Sequence, residues 1–177
     1  YARILLQDKR RSTVAAMDPC EHRPFGRTRL AVTRLGFGGV PVGDPHGTVD
    51  PARASHTIET VYAAGINYFD TAPWYGIGRS EHRIGHALRD RPRGSYVLST
   101  KVGRVLMRPR DVSGPGPYSG RWAGGLPFDL RFDYTRGGVL RSYEDSLQRL
   151  GMPSVDALVV HDLDLKFQGD EAGIAAR

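Results

Sequence analysis

The sequence predicts an α/β fold, and within it a (β/α)8 TIM barrel of which this chain holds about the first four βα units. Three observations lead there. Short apolar runs alternate with segments of helical period, the pattern of parallel strands buried on both faces. Asp70, Lys101 and His161 each stand at the C-terminal end of a different run, and parallel strands bring those ends to one face. A doubly wound sheet also binds ligands beyond its strand ends. No G-x-G-x-x-G occurs, however, because Gly36-Phe37-Gly38-Gly39 and Gly76-Ile77-Gly78 have the wrong spacing.

The elements follow in order. Residues 1–16 lack a clean period and precede the first methionine, Met17. They are expected to be a non-native appendage or an upstream leader outside the fold, which leaves 17–177 as the N-terminal part of the barrel. Residues Thr28 to Leu35 alternate weakly and read as a short strand or hairpin. The glycines of Gly36 to Val40 let the backbone approach something closely. Asp50 caps a first helix with Pro51 at its first position, Ala54, Ile58, Val61 and Tyr62 face inward, and Gly65 ends it.

Ile66 to Phe69 is a strand ending at Asp70. Ser80 is expected to cap a second helix running from Glu81 to about Arg89, with Ile84, Ala87 and Leu88 buried. Tyr96 to Ser99 is a strand ending at Lys101. Gly138 to Leu150 is a third helix, with Val139, Leu140, Tyr143, Leu147 and Leu150 at helical spacing and Gly151 closing it. Val155 to Val160 is a strand ending at His161, and a further helix starts at Glu171. Residues 104–135 form a long connection rich in proline and glycine, expected to lie over the same face as Lys101, either as a substrate lid or as a solvated insertion.

Composition narrows the function classes. Of the 177 residues 40% are hydrophobic and 25% charged, ordinary for a globular domain. No apolar run approaches the roughly 18 residues needed to span a bilayer, so no membrane partner is expected. The single cysteine, Cys20, excludes an internal disulfide framework. With no signal-peptide pattern at the start, these features point to a cytoplasmic setting. The net charge of +6 carries half its excess in residues 1–16, and the remainder is spread without interleaved aromatics. Nucleic acid is therefore not an expected partner.

The residues at the strand ends suit one chemistry. Hydride exchange between a nicotinamide and a carbonyl needs a proton donor for the oxygen, and Tyr75 can serve. Its ordinary pKa near 10 is high for the task. An ammonium about 4 Å away supplies up to about 4 kcal/mol at an effective dielectric near 20, enough to lower it by about 2 units. Lys101 is expected to do this, with Asp70 as the carboxylate that keeps the lysine charged. His161 can donate a hydrogen bond to the carbonyl oxygen.

The segment Phe69-Asp70-Thr71-Ala72-Pro73-Trp74-Tyr75-Gly76 resembles the aldo-keto reductase signature. Ser99-Thr100-Lys101-Val102-Gly103 and Val159-Val160-His161-Asp162-Leu163-Asp164 are similar to that family's lysine and histidine segments. The stretch Ser80 to Leu88 is similar to its second helix. The resemblance, from about Arg34 to Gly169, implies a (β/α)8 barrel, NADP or NAD as cofactor, and Asp70, Tyr75, Lys101 and His161 as catalytic residues. It also implies that Gly39, Val40 and Asp70 lie near the cofactor, and that Trp74 and His161 touch a small sugar or carbonyl substrate. Phe132 to Val139, Ser142 to Leu147 and His161 to Asp164 look like the branch that oxidises aldoses at carbon 1, with Asp162 and Asp164 as polar groups beside His161.

Barrels of this type need about 250 residues. The chain is therefore expected to be an N-terminal fragment, inactive and poorly soluble alone because its open sheet edges are exposed. Two rival readings remain. A zinc hydrolase would use His82 and His86, four apart on a helix, but the glutamate of H-E-x-x-H is absent between them, and no metal is expected. The other is a non-catalytic binding subunit of the same family, against which the intact set of four residues argues. The short length adds a further possibility, an inactive fragment of a split or incomplete gene.

Overall fold

A computed structural model describes residues 17–110 and 116–176. The predicted leader and part of the proline-glycine run lie outside the described residues. The described chain opens with an antiparallel hairpin, β1 (His22–Pro24) and β2 (Ala31–Thr33), which is the second of the two readings of the Thr28 region. A short strand β3 (Phe37–Gly38) leads through a 3-10 turn, Pro41–Gly43, to helix α1 (Pro51–Ala63). Strand β4 (Tyr68–Asp70) is followed by α2 (Arg79–Leu88), and β5 (Val97–Val102) by a second hairpin, β6 (Arg104–Met107) and β7 (Asp129–Phe132). Helix α3 (Arg136–Leu150) and strand β8 (Ala157–Val160) come next, then the short helices α4 (Leu165–Gln168) and α5 (Glu171–Ala175).

Strands β3, β4, β5 and β8 form one wholly parallel sheet in that order. Each consecutive pair is joined through a helix, the βα arrangement that the sequence predicts. The register deals side chains to two faces. Tyr68 pairs with Val97 and Asp70 with Ser99, while Lys101 pairs with Val159. By alternation Asp70, Ser99, Lys101, Val159 and His161 share the inner face. Phe69, Leu98 and Tyr96 face the other way and bury themselves with Ala54, Ile58, Ile84, Leu88 and Leu150 from the helices.

The hairpin β1–β2 is fastened at the far end of the sheet. Asn67, just before β4, accepts from the Thr33 backbone at 2.7 Å and donates to the Ala31 carbonyl at 3.0 Å. It therefore covers the N-terminal ends of the strands and leaves the C-terminal ends to the site.

Three helix expectations change in detail. Asp50 caps α1 through the Arg53 amide and Pro51 starts it, as the sequence indicates. Ser80, in contrast, is no cap. The cap position belongs to Gly78, at φ 91°, and Ser80 is buried as the second residue of the helix, donating to the Gly39 carbonyl at 2.8 Å and meeting Thr71 Oγ1 at 2.9 Å. Helix α3 starts two residues earlier than expected because Thr135 caps it through the Gly138 amide. Its fully buried stripe is Gly138, Ser142, Ser146 and Leu150, whereas Leu140 is exposed. Small residues win that face because α3 packs close to its neighbours. A Cβ on Gly85 of α2 would lie 2.1 Å from the Leu150 carbonyl oxygen.

The described residues of the 104–135 connection are not a structureless loop. Asp129-Leu130-Arg131-Phe132 alternates polar and apolar residues and pairs with β6 in antiparallel register. Between the strands, Tyr118, Trp122 and Leu126 pack on Trp74, Tyr75 and Ile77, with Trp122 only 1% exposed. The segment does lie over the Tyr75 side of the molecule, but as a packed hairpin.

Candidate active site

Asp70 and Lys101 come from adjacent parallel strands, on the same face and near the same end. Lys101 Nζ donates to Asp70 Oδ2 at 2.5 Å and to the Thr71 carbonyl at 3.2 Å, while Ser99 Oγ donates to Asp70 Oδ1 at 2.7 Å. The ammonium and the carboxylate are both largely withdrawn from water, and their hydrogen bonds offset the desolvation that burial costs. Lys101 Nζ lies 5.1 Å from the centre of the Tyr75 ring. Tyr75 stands edge-on to His161, with ring centres 5.7 Å apart. All four predicted catalytic residues thus converge at the C-terminal end of the sheet.

The electrostatics at Tyr75 differ from the expectation. Burial raises its pKa, and the pull of Lys101, through charge and hydrogen bonding, only partly opposes this; Asp70 adds a further push upward. The net shift is upward, chiefly through burial, and the carboxylate that holds the lysine charged adds to it. His161 moves to about 4, chiefly through burial, with Asp162 opposing the shift and Arg104 and Lys101 adding to it. Near neutral pH the imidazole is uncharged.

Trp74 stands edge-on to Tyr118 and Trp122, with centres 5.1 and 5.6 Å apart. One residue of the site is invisible to the sequence reading. Arg104, 3% exposed, lies with its guanidinium 4.6 Å from the ring centres of both Trp74 and Phe132 and 5.0 Å from that of Phe167. It is bound to the Asp162 carboxylate. The only sequence signal for it is proximity, three residues beyond Lys101.

The acidic pair after His161 is also engaged within the protein. Asp162 binds Arg104, and Asp164 caps α4 by accepting from the Phe167 amide at 3.2 Å. Ser99 is a second site residue that the sequence reading passes over, although counting back two residues from Lys101 along a strand finds it.

Gly39 and Val40 lie just past β3, beside Asp70. A side chain on Gly39 would come within 2.5 Å of Ser80 Oγ and 2.9 Å of the Asp70 carbonyl. The close approach that Gly39 allows is therefore to α2 and β4. Val40 packs against the cluster of Ile77, Leu106 and Trp122. Gly38 differs: nothing lies within 4 Å of the place a Cβ would take, and it pairs with Asp70 in register. This leaves an open ledge beside the carboxylate, where a flat ring can approach the backbone.

His82 and His86 lie elsewhere, lining a groove of about 480 Å³ with Ser55, Arg79 and the start of α1. Among the described residues no group of three His, Cys, Asp or Glu side chains is placed to hold a metal ion. Among the same residues no helix is long and apolar enough to cross a membrane.

Residues 34–175 match the family model of the aldo/keto reductase family. The chain belongs to the aldo/keto reductase family. It is 44% identical over 149 residues to the pyridoxal 4-dehydrogenase of Microbacterium luteolum, covering 81% of this chain and 43% of the relative. It is 39% identical over 135 residues to the D-threo-aldose 1-dehydrogenase of a Pseudomonas species, covering 75% and 41%. The fold superposes on an aldo-keto reductase from Bacillus halodurans in its holo form with a TM-score of 0.60 at 28% identity, covering 79% of this chain and 39% of that one. The chain thus spans about two fifths of the length of the curated relatives it matches, and its sheet corresponds to part of their barrel.

Proposed function

We propose that this chain carries the proton-handling half of an NAD(P)-dependent oxidoreductase whose substrate is a sugar hemiacetal, oxidised at carbon 1, or an alcohol or carbonyl of similar size. The observation that carries the reading is the Asp70–Lys101 ion pair set 5.1 Å below the Tyr75 ring. The nature of the two dehydrogenase relatives supports the choice of substrate. A nicotinamide, when bound, supplies or accepts the hydride. The ledge at Gly38 beside Asp70 suits the approach of such a ring, with Gly39 and Val40 as its border.

The protein's own groups handle the proton. In reduction Tyr75 gives its proton to the carbonyl oxygen, and a raised pKa keeps it protonated and ready near neutral pH. In oxidation Tyr75 takes the hydroxyl proton, so this direction gains as pH rises. Lys101 stabilises the tyrosinate that forms, and Asp70 holds Lys101 in place. His161, uncharged, donates a hydrogen bond to the substrate oxygen and orients it. Trp74, packed beside Arg104, forms an aromatic wall for a small substrate.

The test joins residues 17–177 to the remaining length of the 44%-identical relative to complete the barrel. L-fucose, D-arabinose, L-galactose and pyridoxal are then offered with NAD and with NADP, and nicotinamide absorbance is followed. Oxidation of at least one of them is expected. Reduction of simple aldehydes without oxidation of any panel member would reject the dehydrogenase assignment.

A further inference from the structure

We infer that Arg104 is a positioning residue for His161: by engaging the Asp162 carboxylate, it holds that group where it selects the Nε2–H form of the imidazole without drawing a second proton onto the ring. This rests on the reading of His161 as the group facing the substrate oxygen. One oxygen atom links the three residues. Asp162 Oδ2 binds the Arg104 guanidinium and also lies 3.5 Å from His161 Nε2. His161 Nδ1 is buried with no hydrogen-bond partner among the described residues. A neutral imidazole carries one proton, and the carboxylate beside Nε2 favours placing it there. The substrate-orienting role requires a donor.

An unpaired carboxylate at that distance would favour the imidazolium. Arg104 counters it with an opposite charge on the same oxygen. The other charged and titratable groups facing His161 are Lys101, which also disfavours the imidazolium, Asp70, which favours it weakly, and Tyr75, edge-on to the ring. Two features indicate that the arrangement is held in place. Asp162 adopts φ 53°, a left-handed backbone that non-glycine residues seldom take. The guanidinium of Arg104 is packed by Trp74, Phe132 and Phe167, so it can neither swing away nor be exchanged for water. Phe132 belongs to the hairpin arm and Trp74 packs against it, so the hairpin holds the arginine and the arginine holds the acid.

The test uses the 177-residue chain and reads the ionisation of His161 by hydrogen–deuterium exchange at the imidazole C2 position, followed peptide by peptide in a mass spectrometer. Nothing turns over in this measurement, so a failure of the hydride chemistry leaves its outcome intact. Arg104→Met is expected to raise the His161 midpoint by about one unit or more, a tenfold tightening of proton binding. Arg104→Lys keeps the charge and is expected to stay near the wild-type midpoint. In an Asp162→Asn background, Arg104→Met is expected to move the midpoint less than half as far, because the acid it acts through is gone. An unmoved midpoint in Arg104→Met with a cooperative melt, or equal shifts in the Met and Lys variants, would overturn the inference. If Arg104→Met fails to fold, Asp162→Asn alone decides: a lowered His161 midpoint is expected, and an unchanged or raised one refutes it.

Discussion

Strands β5 and β8 are neighbours in one sheet, parallel to each other and similar in composition, yet they stand in opposite surroundings. Along β5 every residue but Lys101 is buried, and Lys101 is half-buried. Along β8 Leu158, Val159 and Val160 are 44%, 41% and 52% exposed. The sequences Val-Leu-Ser-Thr-Lys-Val and Ala-Leu-Val-Val do not explain the difference, and if anything predict the reverse. What differs is cover. β5 has a strand on each side, and α2 and α3 pack over its outer face. β8 has a partner on one side only among the described residues. A run of apolar residues states what a strand needs, and its neighbours decide whether the need is met. Two residues of the candidate site follow the same division: Lys101 is anchored by its strand, whereas His161, at the end of the exposed one, is buried by the residues around it.

The largest effects are expected where the well-covered strand carries chemistry. Lys101→Met and Tyr75→Phe, in the completed barrel, are each expected to lower kcat by at least about 10²-fold, the contribution typical of general acid–base catalysis. Cofactor affinity in Tyr75→Phe should stay nearly unchanged. Steady-state kinetics with a fluorescence titration of bound nicotinamide checks both, and unaltered turnover in either variant would assign the proton to another group.

The buried side of β5 supplies the next effect. Thr100 donates to Glu81 at 2.7 Å, and Arg149 donates to the other Glu81 oxygen at 2.5 Å, which ties β5, α2 and α3 through a carboxylate that is fully buried. Removing one member of such a buried pair leaves a charge without a partner. Arg149→Met is expected to destabilise the fold by about 3–5 kcal/mol, read by urea denaturation.

Acid provides a smaller, graded effect. His161 titrates at about 4 in the fold, below the ordinary value of 6.5. Between those values the unfolded chain binds the proton and the folded chain does not, so stability rises with pH through this window and is lost on acidification. The contribution is of the order of 3 kcal/mol at about 1.36 kcal/mol per unit. His161→Gln is expected to flatten the pH dependence of the denaturation midpoint between pH 6.5 and about 4; an equally steep profile would place the acid sensitivity elsewhere.

The smallest effect belongs to the exposed strand. Leu158→Lys on β8 is expected to change the stability of this chain by no more than about 0.5 kcal/mol, as for other surface positions. It is also expected to reduce self-association, because charge on an edge strand opposes further pairing. Sedimentation velocity of the two proteins reads the second outcome. A large loss of stability would show that β8 is covered in solution.

Much of this architecture is legible in the sequence where a local signal and its cause coincide. Asp50 followed by Pro51 both caps and starts α1, and Gly151, at φ 64°, closes α3, because these residues act on their own backbone. Asp70, Lys101 and His161 are legible because an apolar run that ends in a polar or charged residue marks the C-terminal end of a parallel strand. The rest depends on neighbours that a sequence does not display. Ser80 has the chemistry of a cap, but the chain folds it under Gly39 instead. The buried face of α3 is its small-residue stripe because Gly85 lets the helices close up. Arg104 is one arginine among many until Trp74, Phe132 and Asp162 arrive from three separate parts of the chain. The alternation in Asp129 to Phe132 has the period of a strand, but the glycines and prolines around it mask so short a signal.

The alternation of the parallel strands has a consequence for how such a protein can change over generations. Phe69, Leu98 and Thr100 answer to the helices, whereas Asp70, Ser99 and Lys101, their immediate neighbours in the chain, answer to whatever enters the mouth of the sheet. Substitutions at one parity fall on the candidate site, and substitutions at the other fall on the helix-facing core. Point replacements can therefore alter the one set while leaving the other in place. The deletion of a single residue within a strand is another matter, since it would exchange the two sets at once.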